Sequence, residues 1–431
     1  MRFYVKNIQS AVHRGSKGVL IVEDSSFLSF ILQVAVREHL KIEPVMCTGL
    51  REAEEVLETN AHTFFAALLD LHLPDAPNGE VVDLVVGYEI PSVVFTATLS
   101  DKLRERMWSK KIVDYVLKEN QENVVQVMET IKRLQKNMGM KVLVADDSFT
   151  CRKIVKNLLE VWNFTVLEAV DGQDALAILK QEPDVCMLIT DYNMPRLNGV
   201  DLVKQIRRSH SKARLPIIGL SGVDNATTSA YFLKAGANDY LHKPFITEEL
   251  YCRVRHNIEI AEHIKTIRDM AERDFLTGLY NRRYFFAMAD KMLKQTRRDN
   301  RGLVIAMMDI DYFKKCNDQF GHDAGDEVIR FVGQSILSCV RESDLVARFG
   351  GEEYCIACAG MDGEGARKVF EKIRSSIEGA VINFDNHNIK VTVSIGVCPS
   401  LTGSLEEMIT CADKMLYDAK KQGRNQVRVF A

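Results

Sequence analysis

Short apolar runs alternate with longer segments of helical periodicity along most of this chain. The runs at 18–22 and 141–145 are almost wholly apolar, whereas 27–38 and 149–161 repeat apolar residues at helical spacing. Strands that are apolar on both faces, separated by amphipathic helices, are typical of a parallel sheet covered by helices. The pattern therefore predicts an α/β protein.

The first half of the chain contains one long sequence pattern twice. GVLIVEDS at 18–25 returns as KVLVADDS at 141–148, and an aspartate followed four residues later by a proline also occurs in both copies. A hydroxyl residue and then a lysine complete each copy, 22 residues apart in both. The matching residues are Asp70 with Asp191, Thr96 with Ser221, Tyr115 with Tyr240, and Lys118 with Lys243. Because the carboxyl ends of parallel strands converge on one crevice, the repeat predicts two equivalent sites.

Residues 247–273 contain neither proline nor glycine, and they predict one long helix. Spacings of three and four residues form a stripe on this helix, made of Asn257, Ile260, Ile264, Ile267 and Ala271. Such a stripe suits either a coiled-coil partner or packing on the chain's own domain. The pattern leaves both interpretations open.

The α/β alternation resumes after 273 with different spacing. Strands are predicted at 303–308, 345–348, 354–357 and 391–397, helices at 325–340, 365–379 and 405–422, and a hairpin around 348–353. We therefore expect an N-terminal segment at 1–17, two repeated domains at 18–138 and 139–246, a linker helix at 247–273 and a third α/β domain at 274–431.

Composition narrows the class of protein. A length of 431 residues suits about three domains, and 46% hydrophobic with 27% charged residues is typical of a soluble globular chain. The net charge of -3 gives no reason to expect DNA as a partner. The N-terminus lacks the apolar core of a secretory signal, and no apolar run reaches the roughly 18 residues that span a bilayer. We therefore expect a cytoplasmic protein with no membrane segment.

The ten cysteines are scattered, as expected for reduced thiols in a cytosol. Cys355 and Cys358 have the spacing of a redox or metal pair, but they lie in an apolar run. A buried strand is the favoured interpretation.

The acidic residues of the repeats suggest a metal and phosphate site. An acidic pair follows the first strand of each copy, and another aspartate ends the third strand. A lone aspartate at a strand end is usually solvated or caps a helix. Three carboxylates in one crevice, however, repel one another unless a cation such as Mg²⁺ neutralises them. The hydroxyl and the lysine add the donors that the oxygens of an acyl phosphate need.

On these residues both repeats resemble response-regulator receiver domains, which implies two flavodoxin-like doubly wound folds. The resemblance implies phosphorylation of Asp70 and Asp191 by a cognate histidine kinase or phosphotransfer protein. It also implies Mg²⁺ ligands (Glu23, Asp24, Asp70 and the His72 carbonyl; Asp146, Asp147, Asp191 and the Asn193 carbonyl), switch hydroxyls (Thr96, Ser221), switch aromatics (Tyr115, Tyr240) and phosphate-binding lysines (Lys118, Lys243).

The second copy matches the receiver pattern throughout, including Lys243-Pro244. The first copy departs from it in having Glu23 for the first aspartate, one extra residue between Pro74 and Gly79, and Glu119 where proline is usual. Phosphorylation of the first copy therefore has less support from the sequence.

Acidic residues in the third domain suggest a second kind of site. Asp309 ends an apolar run, and the glycine turn before Glu352 and Glu353 lets a backbone or ligand come close. Together these acids form a candidate two-metal site for in-line attack at phosphorus. Lys314, Lys420 and Arg424 offer positive charge to phosphates, while Asn317 and Asp326 offer hydrogen bonds to a guanine edge. Residues 420–424 also fit an ordinary basic helix end that stops at glycine.

The segments 274–283, 309–314, 317–326, 350–354 and 419–425 together resemble the GGDEF domain, an α/β nucleotidyl cyclase-like fold. The two receivers and this domain resemble the PleD-like diguanylate cyclases. The resemblance implies Mg²⁺, with Mn²⁺ as an alternative, held by Asp309, the Ile310 carbonyl and Glu352, with Glu353 adjoining. It also implies Glu352 as the group that helps to deprotonate the 3'-hydroxyl, guanine reading by Asn317 and Asp326, and phosphate binding by Phe313, Lys314, Lys420 and Arg424.

Arg341-x-x-Asp344 stands five residues before Gly350. An Arg-x-x-Asp pattern alone is usually only a surface pair. At this spacing in a GGDEF domain it resembles the inhibitory product site, which implies that Arg341 and Asp344 bind cyclic di-GMP.

The sequence thus predicts a homodimeric diguanylate cyclase that condenses two GTP into cyclic di-GMP and two pyrophosphates. Each GTP must present its 3'-hydroxyl to the α-phosphate of the other GTP, which requires two domains face to face. We expect activation by receiver phosphorylation and inhibition by product. The rival is a catalytically silent module that binds a guanine nucleotide and reports to a protein partner.

Overall fold

The computed structural model of the chain describes residues 18–97, 112–118, 121–222, 226–299, 301–385, 387–399 and 403–430. The N-terminal segment 1–17 and Glu119 lie outside the described residues. Two compact units divide the chain, one at 1–263 and the other at 264–431. In the described part, no helix has the length and apolar character needed to cross a membrane.

The first unit begins with a five-stranded parallel sheet in the order β2-β1-β3-β4-β5. Its strands are β1 (Gly18–Val22), β2 (Val45–Cys47), β3 (Phe64–Leu69), β4 (Ser92–Thr96) and β5 (Asp114–Leu117). The described helices around it are α1 (Ser26–Leu40), α2 (Leu50–Asn60), α3 (Glu80–Gly87) and α4 (Gln121–Asn137), with a 3-10 turn at Ala61–Thr63. The strand order is doubly wound, so β1 and β3 lie side by side with their carboxyl ends at one edge.

A second five-stranded parallel sheet follows in the same unit and has the equivalent order, β7-β6-β8-β9-β10. Its strands are β6 (Lys141–Ala145), β7 (Thr165–Ala169), β8 (Val185–Asp191), β9 (Ile217–Ser221) and β10 (Asp239–His242). The helices are α5 (Phe149–Val161), α6 (Gly172–Gln181), α7 (Gly199–Ile206), α8 (Ala226–Ala235) and α9 (Thr247–Glu272). The two halves of the repeat therefore have one topology.

The two sheets of the first unit share an apolar core. Val127 and Leu134 of α4 belong to the same buried cluster as Val155 of α5 and Val254 of α9. Asn163, after α5, donates from Nδ2 to the carbonyl oxygen of Phe65 in β3 at 2.9 Å. Apolar burial and a direct hydrogen bond thus join the two halves.

One stripe of helix α9 changes from buried to exposed along the length of the helix. Leu250, Val254 and Asn257 are buried, whereas Ile264 is 42% and Ile267 65% exposed. The stripe predicted from the sequence therefore packs on its own unit at Asn257 and leaves its later isoleucines at the surface.

The second unit contains a mixed six-stranded sheet in the order β11-β13-β14-β12-β17-β18. Its strands are β11 (Tyr280–Asn281), β12 (Leu303–Ile310), β13 (Leu345–Gly350), β14 (Glu353–Ala359), β17 (Val393–Pro399) and β18 (Val427–Val429); β15 (Ile382–Phe384) and β16 (His387–Ile389) form a separate ribbon. The helices are α10 (Arg282–Arg298), α11 (Phe313–Phe320), α12 (His322–Cys339), α13 (Gly363–Glu378) and α14 (Leu405–Lys421).

The central strands of this sheet are buried on both faces, which explains their apolar sequence. All eight residues of β12 are buried. Cys355 and Cys358 are fully buried in β14, so their interpretation as strand residues is confirmed. The β13–β14 hairpin is antiparallel and lies next to β12, so its acidic turn reaches the end of that strand.

Candidate functional sites

The first candidate site is a crevice at the carboxyl ends of β1 and β3. Glu23 and Asp24 follow β1, and Asp70 follows β3. One carboxylate oxygen of each lies within 4.8 Å of the others, and no other trio of metal-ligating side chains is gathered so closely in the described part of the chain. Burial raises the pKa of Glu23, although Lys118 opposes this shift. Burial disfavours the negative charge of these carboxylates, and a divalent cation such as Mg²⁺, which prefers oxygen ligands, would neutralise it.

Lys118 connects two acids of this crevice. Its Nζ atom lies 2.6 Å from a Glu23 carboxylate oxygen and 2.6 Å from one of Asp70. The lysine side chain is only 9% exposed, so water screens these ion pairs weakly. Thr96 is buried at the end of β4, Tyr115 is half-buried in β5, and His72 is exposed with its backbone N–H donating to Asp70 at 3.2 Å.

The second candidate site has the same plan at the carboxyl ends of β6 and β8. Asp146 is buried and Asp147 exposed after β6, while Asp191 ends β8. Lys243 Nζ lies 2.6 Å from Asp146 and 2.5 Å from Asp191. Burial raises the pKa of Asp191 and Lys243 opposes it; burial lowers the pKa of Lys243, but its two acid partners raise it overall.

Backbone groups and packing fix the acids of this second site. The N–H of Asn193 donates to Asp191 at 2.8 Å, and the N–H of Ser148 donates to Asp146 at 2.8 Å. At Gly199 a Cβ atom would lie 2.0 Å from the Asp191 carbonyl oxygen, so only glycine fits beside this acid. Ser221 is buried at the end of β9, and the ring of Tyr240 contacts that of His242. Asn193 itself is exposed.

The third candidate site lies where the β13–β14 hairpin meets the end of β12. Asp309 in β12 pairs directly with Glu353 in the ladder, and the N–H of Ile310 donates to the Glu352 carbonyl oxygen at 3.3 Å. Asp309 is buried, whereas Glu352 and Glu353 are half-buried. Burial raises the pKa of all three carboxyls, and the charge of Asp309 adds to the shift at both glutamates. Burial and mutual repulsion disfavour the negative charges of these three carboxylates. A divalent cation would offset both effects, and the three side chains offer the oxygen ligands that such a cation prefers.

Lys420 supplies a cation within this site. It lies near the end of α14, and its Nζ atom is 2.7 Å from Asp309 Oδ2. This ion pair is partly buried and opposes the rise in the Asp309 pKa. A basic residue at a helix end, which could be ordinary surface charge, thus contacts the central acid.

A buried polar atom without a hydrogen-bond partner among the described residues lies between α11 and α12. Asn317 Oδ1 is buried and accepts no hydrogen bond in the described structure. Gly325 opposes it, and a Cβ atom there would lie 1.8 Å from the same oxygen. An acceptor without a donor is costly inside a protein, so this atom indicates a ligand donor. Asp326, the next residue of α12, is half-buried.

Of the remaining basic residues, Arg424 contacts Tyr312 and Lys314 follows Tyr312 in the chain. The Arg424 guanidinium stacks 4.4 Å from the centre of the Tyr312 ring, and Arg424 itself has a left-handed backbone. Lys314 is exposed at the start of α11, whereas the Phe313 side chain is buried. Phe313 therefore offers a ligand its backbone and not its ring.

Asp311 is a buried acid that the sequence analysis missed. It accepts hydrogen bonds from Thr392, Ser394 and the backbone of Asn425, at 2.7 to 3.0 Å. These contacts tie the end of β12 to β17 and to the segment after α14. The Asp311-Tyr-Phe spacing in the sequence was the available signal, but its partners come from distant positions.

Arg341 and Asp344 lie in the turn before β13, at the opposite end of that strand from the acidic turn of the hairpin. The backbone N–H of Arg341 donates to Asp344 Oδ2 at 2.9 Å, and the Arg341 side chain lines a cavity of about 870 Å³ with Arg301 and Asp299. The structure thus places Arg341 at an open cavity and uses Asp344 to hold the turn.

Comparison with known proteins agrees with this geometry. Residues 271–426 match the family model described as diguanylate cyclase, GGDEF domain, and residues 142–255 match the response regulator receiver domain. A crystal structure described as a two-component system response regulator/GGDEF domain protein is 38% identical, with a TM-score of 0.51, and covers 57% of this chain and 99% of its own. The chain belongs to the GGDEF-domain response regulators.

Curated relatives differ in how much of their length the chain matches. "Response regulator PleD" of Caulobacter vibrioides is 30% identical over 67% of this chain and 66% of its own length. "Diguanylate cyclase A" of Treponema denticola is 38% identical over 39% of this chain and 47% of its own length. The chain thus spans about two thirds or less of these relatives. The receiver model matches the second five-stranded sheet, and the first sheet has the same topology without a receiver match of its own.

Proposed function

We propose that this response regulator is a diguanylate cyclase that condenses two GTP into cyclic di-GMP and two pyrophosphates. The observation that carries the proposal is the ladder pair of Asp309 and Glu353, with Lys420 at 2.7 Å from Asp309. The site combines acids for a cation with a positive group for a triphosphate. The match to the diguanylate cyclase family model and the similarity to a curated diguanylate cyclase support the same activity.

Each residue around the acids has a role in this proposal. Asp309, Glu352 and the Ile310 carbonyl would hold Mg²⁺ or Mn²⁺, which would neutralise charge on the triphosphate. Glu352, whose pKa is raised by burial and by Asp309, takes the proton of the 3'-hydroxyl. Lys420, Lys314, Arg424 and the Phe313 backbone hold phosphates. Asn317, with its unpartnered oxygen, and Asp326 read guanine.

We infer that both halves of the repeat are receiver domains, with the boundaries predicted from the sequence. The identical strand order and the matching lysine contacts support this for the first half as well as the second. In this proposal Asp70 or Asp191 accepts a phosphoryl group, and Thr96 with Tyr115, or Ser221 with Tyr240, responds to it. The neighbouring acids would hold Mg²⁺, which would supply charge neutralisation. Lys118 and Lys243 are placed to neutralise that group.

Control by assembly completes the proposal. Each GGDEF domain provides half of a two-fold symmetric reaction, so synthesis needs a homodimer whose geometry depends on receiver phosphorylation. The exposed Ile264 and Ile267 of α9 suit such an assembly. Arg341, at its open cavity, and Asp344 bind cyclic di-GMP and limit synthesis.

The test is chromatographic detection of cyclic di-GMP after the full chain is incubated with GTP and Mg²⁺, with and without beryllofluoride. We expect product that rises with beryllofluoride and a loss on the order of 100-fold in Glu352→Gln, which keeps the shape and removes the charge. Exposed Glu364→Gln serves as the matched control. Undiminished synthesis in Glu352→Gln would overturn the metal and base assignment.

The rival function is a silent nucleotide-binding module. It predicts binding of GTP or cyclic di-GMP without any product, even in Arg341→Ala, which is freed of carried-over inhibitor. The retained acids Asp309, Glu352 and Glu353 favour the cyclase. Absence of product in Arg341→Ala together with measurable GTP binding would favour the rival.

A further inference from the structure

Two cysteines of the second unit, 13 residues apart in the sequence, lie on a strand and a helix that pack against each other. Cys398 belongs to β17 and Cys411 to α14, and the interaction between the two thiols contributes to a raised pKa of Cys398. Both side chains pack in the same apolar cluster, between the sheet and α14. Neither belongs to the site proposed for GTP.

The backbones of β17 and α14 approach closely at this point. Gly396 stands two residues before Cys398, and a Cβ atom there would lie 2.1 Å from the carbonyl oxygen of Ala412, the neighbour of Cys411. The short strand–helix separation brings the two cysteines within reach of each other. Disulfide formation requires such proximity, because the Cα atoms of a bridge are usually only about 4.4–6.8 Å apart.

The other candidate pair fails this geometric requirement. Cys355 and Cys358 are three residues apart in β14, but Cys355 packs in the cluster under α14 and Cys358 in the cluster on the opposite side of the sheet. Side chains three apart in a strand point to opposite faces. Sequence spacing therefore selects the wrong pair, and the fold selects Cys398 with Cys411.

We propose that Cys398 and Cys411 form a reversible intrachain disulfide when the protein meets a peroxide. Cys411 is half-buried, so its sulfur can reach a peroxide from solvent, whereas Cys398 is buried and acts second. The Cys411 sulfur attacks a peroxide oxygen, which breaks the O–O bond and gives a sulfenic acid and one water. The Cys398 sulfur then attacks the Cys411 sulfur, and its proton leaves with the departing hydroxyl as a second water.

The environment of Cys398 supports this order. Burial raises the pKa of Cys398 to about 12, which makes it a poorer first nucleophile toward a peroxide than an ordinary thiol. Its Sγ atom meanwhile contacts the Pro399 carbonyl oxygen at 3.7 Å. The bond would fasten α14, which carries Lys420, to the strand beside β12.

Peptide mapping of the full chain tests the proposal. Residues 391–414 contain no internal lysine or arginine, so trypsin leaves both cysteines in one peptide, while Glu406 and Glu407 stand between them. After peroxide treatment, digestion with trypsin and a glutamate-specific protease should yield two fragments that stay joined until a reductant is added. In Cys411→Ser the joined species should be absent, and in the control Cys252→Ser, which removes an exposed thiol of the first unit, it should remain.

A second measurement avoids dependence on the folding of a variant. Alkylation of the native wild-type protein at Cys411 before peroxide treatment should prevent the joined species. Two separate fragments in oxidised wild-type protein, with Cys411 carried on to the sulfinic acid and Cys398 still free, would overturn the proposal. Joined fragments that persist after alkylation of Cys411 would overturn it as well.

Discussion

The two carboxylate sites of the first unit share a plan and differ in packing. At the first, Lys118 is 9% exposed and the acids gather within 4.8 Å; at the second, Lys243 is 22% exposed. The first copy departs more from the receiver pattern, yet it holds the tighter cluster. Similarity of motif and compactness of a site are therefore separate properties. Glu23 has one methylene group more than an aspartate, so its carboxylate reaches further into the crevice.

The largest difference is expected when each lysine is removed. Lys118→Met leaves two buried acids without their cation and should destabilise the first sheet by roughly 3 kcal/mol. Lys243→Met should cost the second sheet roughly half as much, because its lysine is more exposed to water. Hydrogen–deuterium exchange of β1 and β6 without Mg²⁺ measures the two sheets separately. Equal losses would show that burial does not distinguish the sites.

A smaller effect is expected on control of synthesis. Asp191→Asn should remove the stimulation by beryllofluoride, a change on the order of tenfold in cyclic di-GMP formation. Asp70→Asn should retain most of the stimulation, because the first copy lacks part of the receiver pattern. Each variant acts as the control for the other in the same chromatographic assay. A larger loss in Asp70→Asn would identify the first site as the input.

The smallest effect concerns protons at the first site. Burial raises the pKa of Glu23, so its carboxyl keeps a proton to higher pH than an ordinary glutamate, and Mg²⁺ must displace that proton. Cation affinity there should fall as the pH drops through this raised value. Glu23→Gln should weaken binding a few-fold, on the order of 1 kcal/mol, and flatten this dependence. Mn²⁺ titration by electron paramagnetic resonance measures it, with exposed Glu38→Gln as the control; an unchanged pH dependence in Glu23→Gln would contradict the assignment.

The elements with local signals were the ones that the sequence predicted best. The second predicted helix, 149–161, coincides with α5 because the Ser148 side chain caps its first turn. The first, 27–38, is longer in the structure, since Ser25 caps it one residue earlier and the left-handed Lys41 ends it. Both signals act over a few residues and can be read without the fold.

Long-range contacts were beyond the sequence pattern. Asp311 depends on Thr392 and Ser394, whose placement follows from the strand register of β12 with β17. The unpartnered Asn317 oxygen depends on how closely Gly325 approaches. Likewise Cys398 and Cys411 meet only through the packing of β17 with α14. Such features need the register of strands and the packing of helices, which no local motif contains.

A lysine contacts the central acid at each of the three sites: Lys118 on Asp70, Lys243 on Asp191 and Lys420 on Asp309. Each acid thus has an internal counterion that belongs to the chain itself. We therefore expect these regions to fold without a supply of divalent cation, in contrast to small domains that stay unfolded until a metal binds. In a chelating buffer we expect the chain to stay folded, with its three acidic sites held by their own lysines.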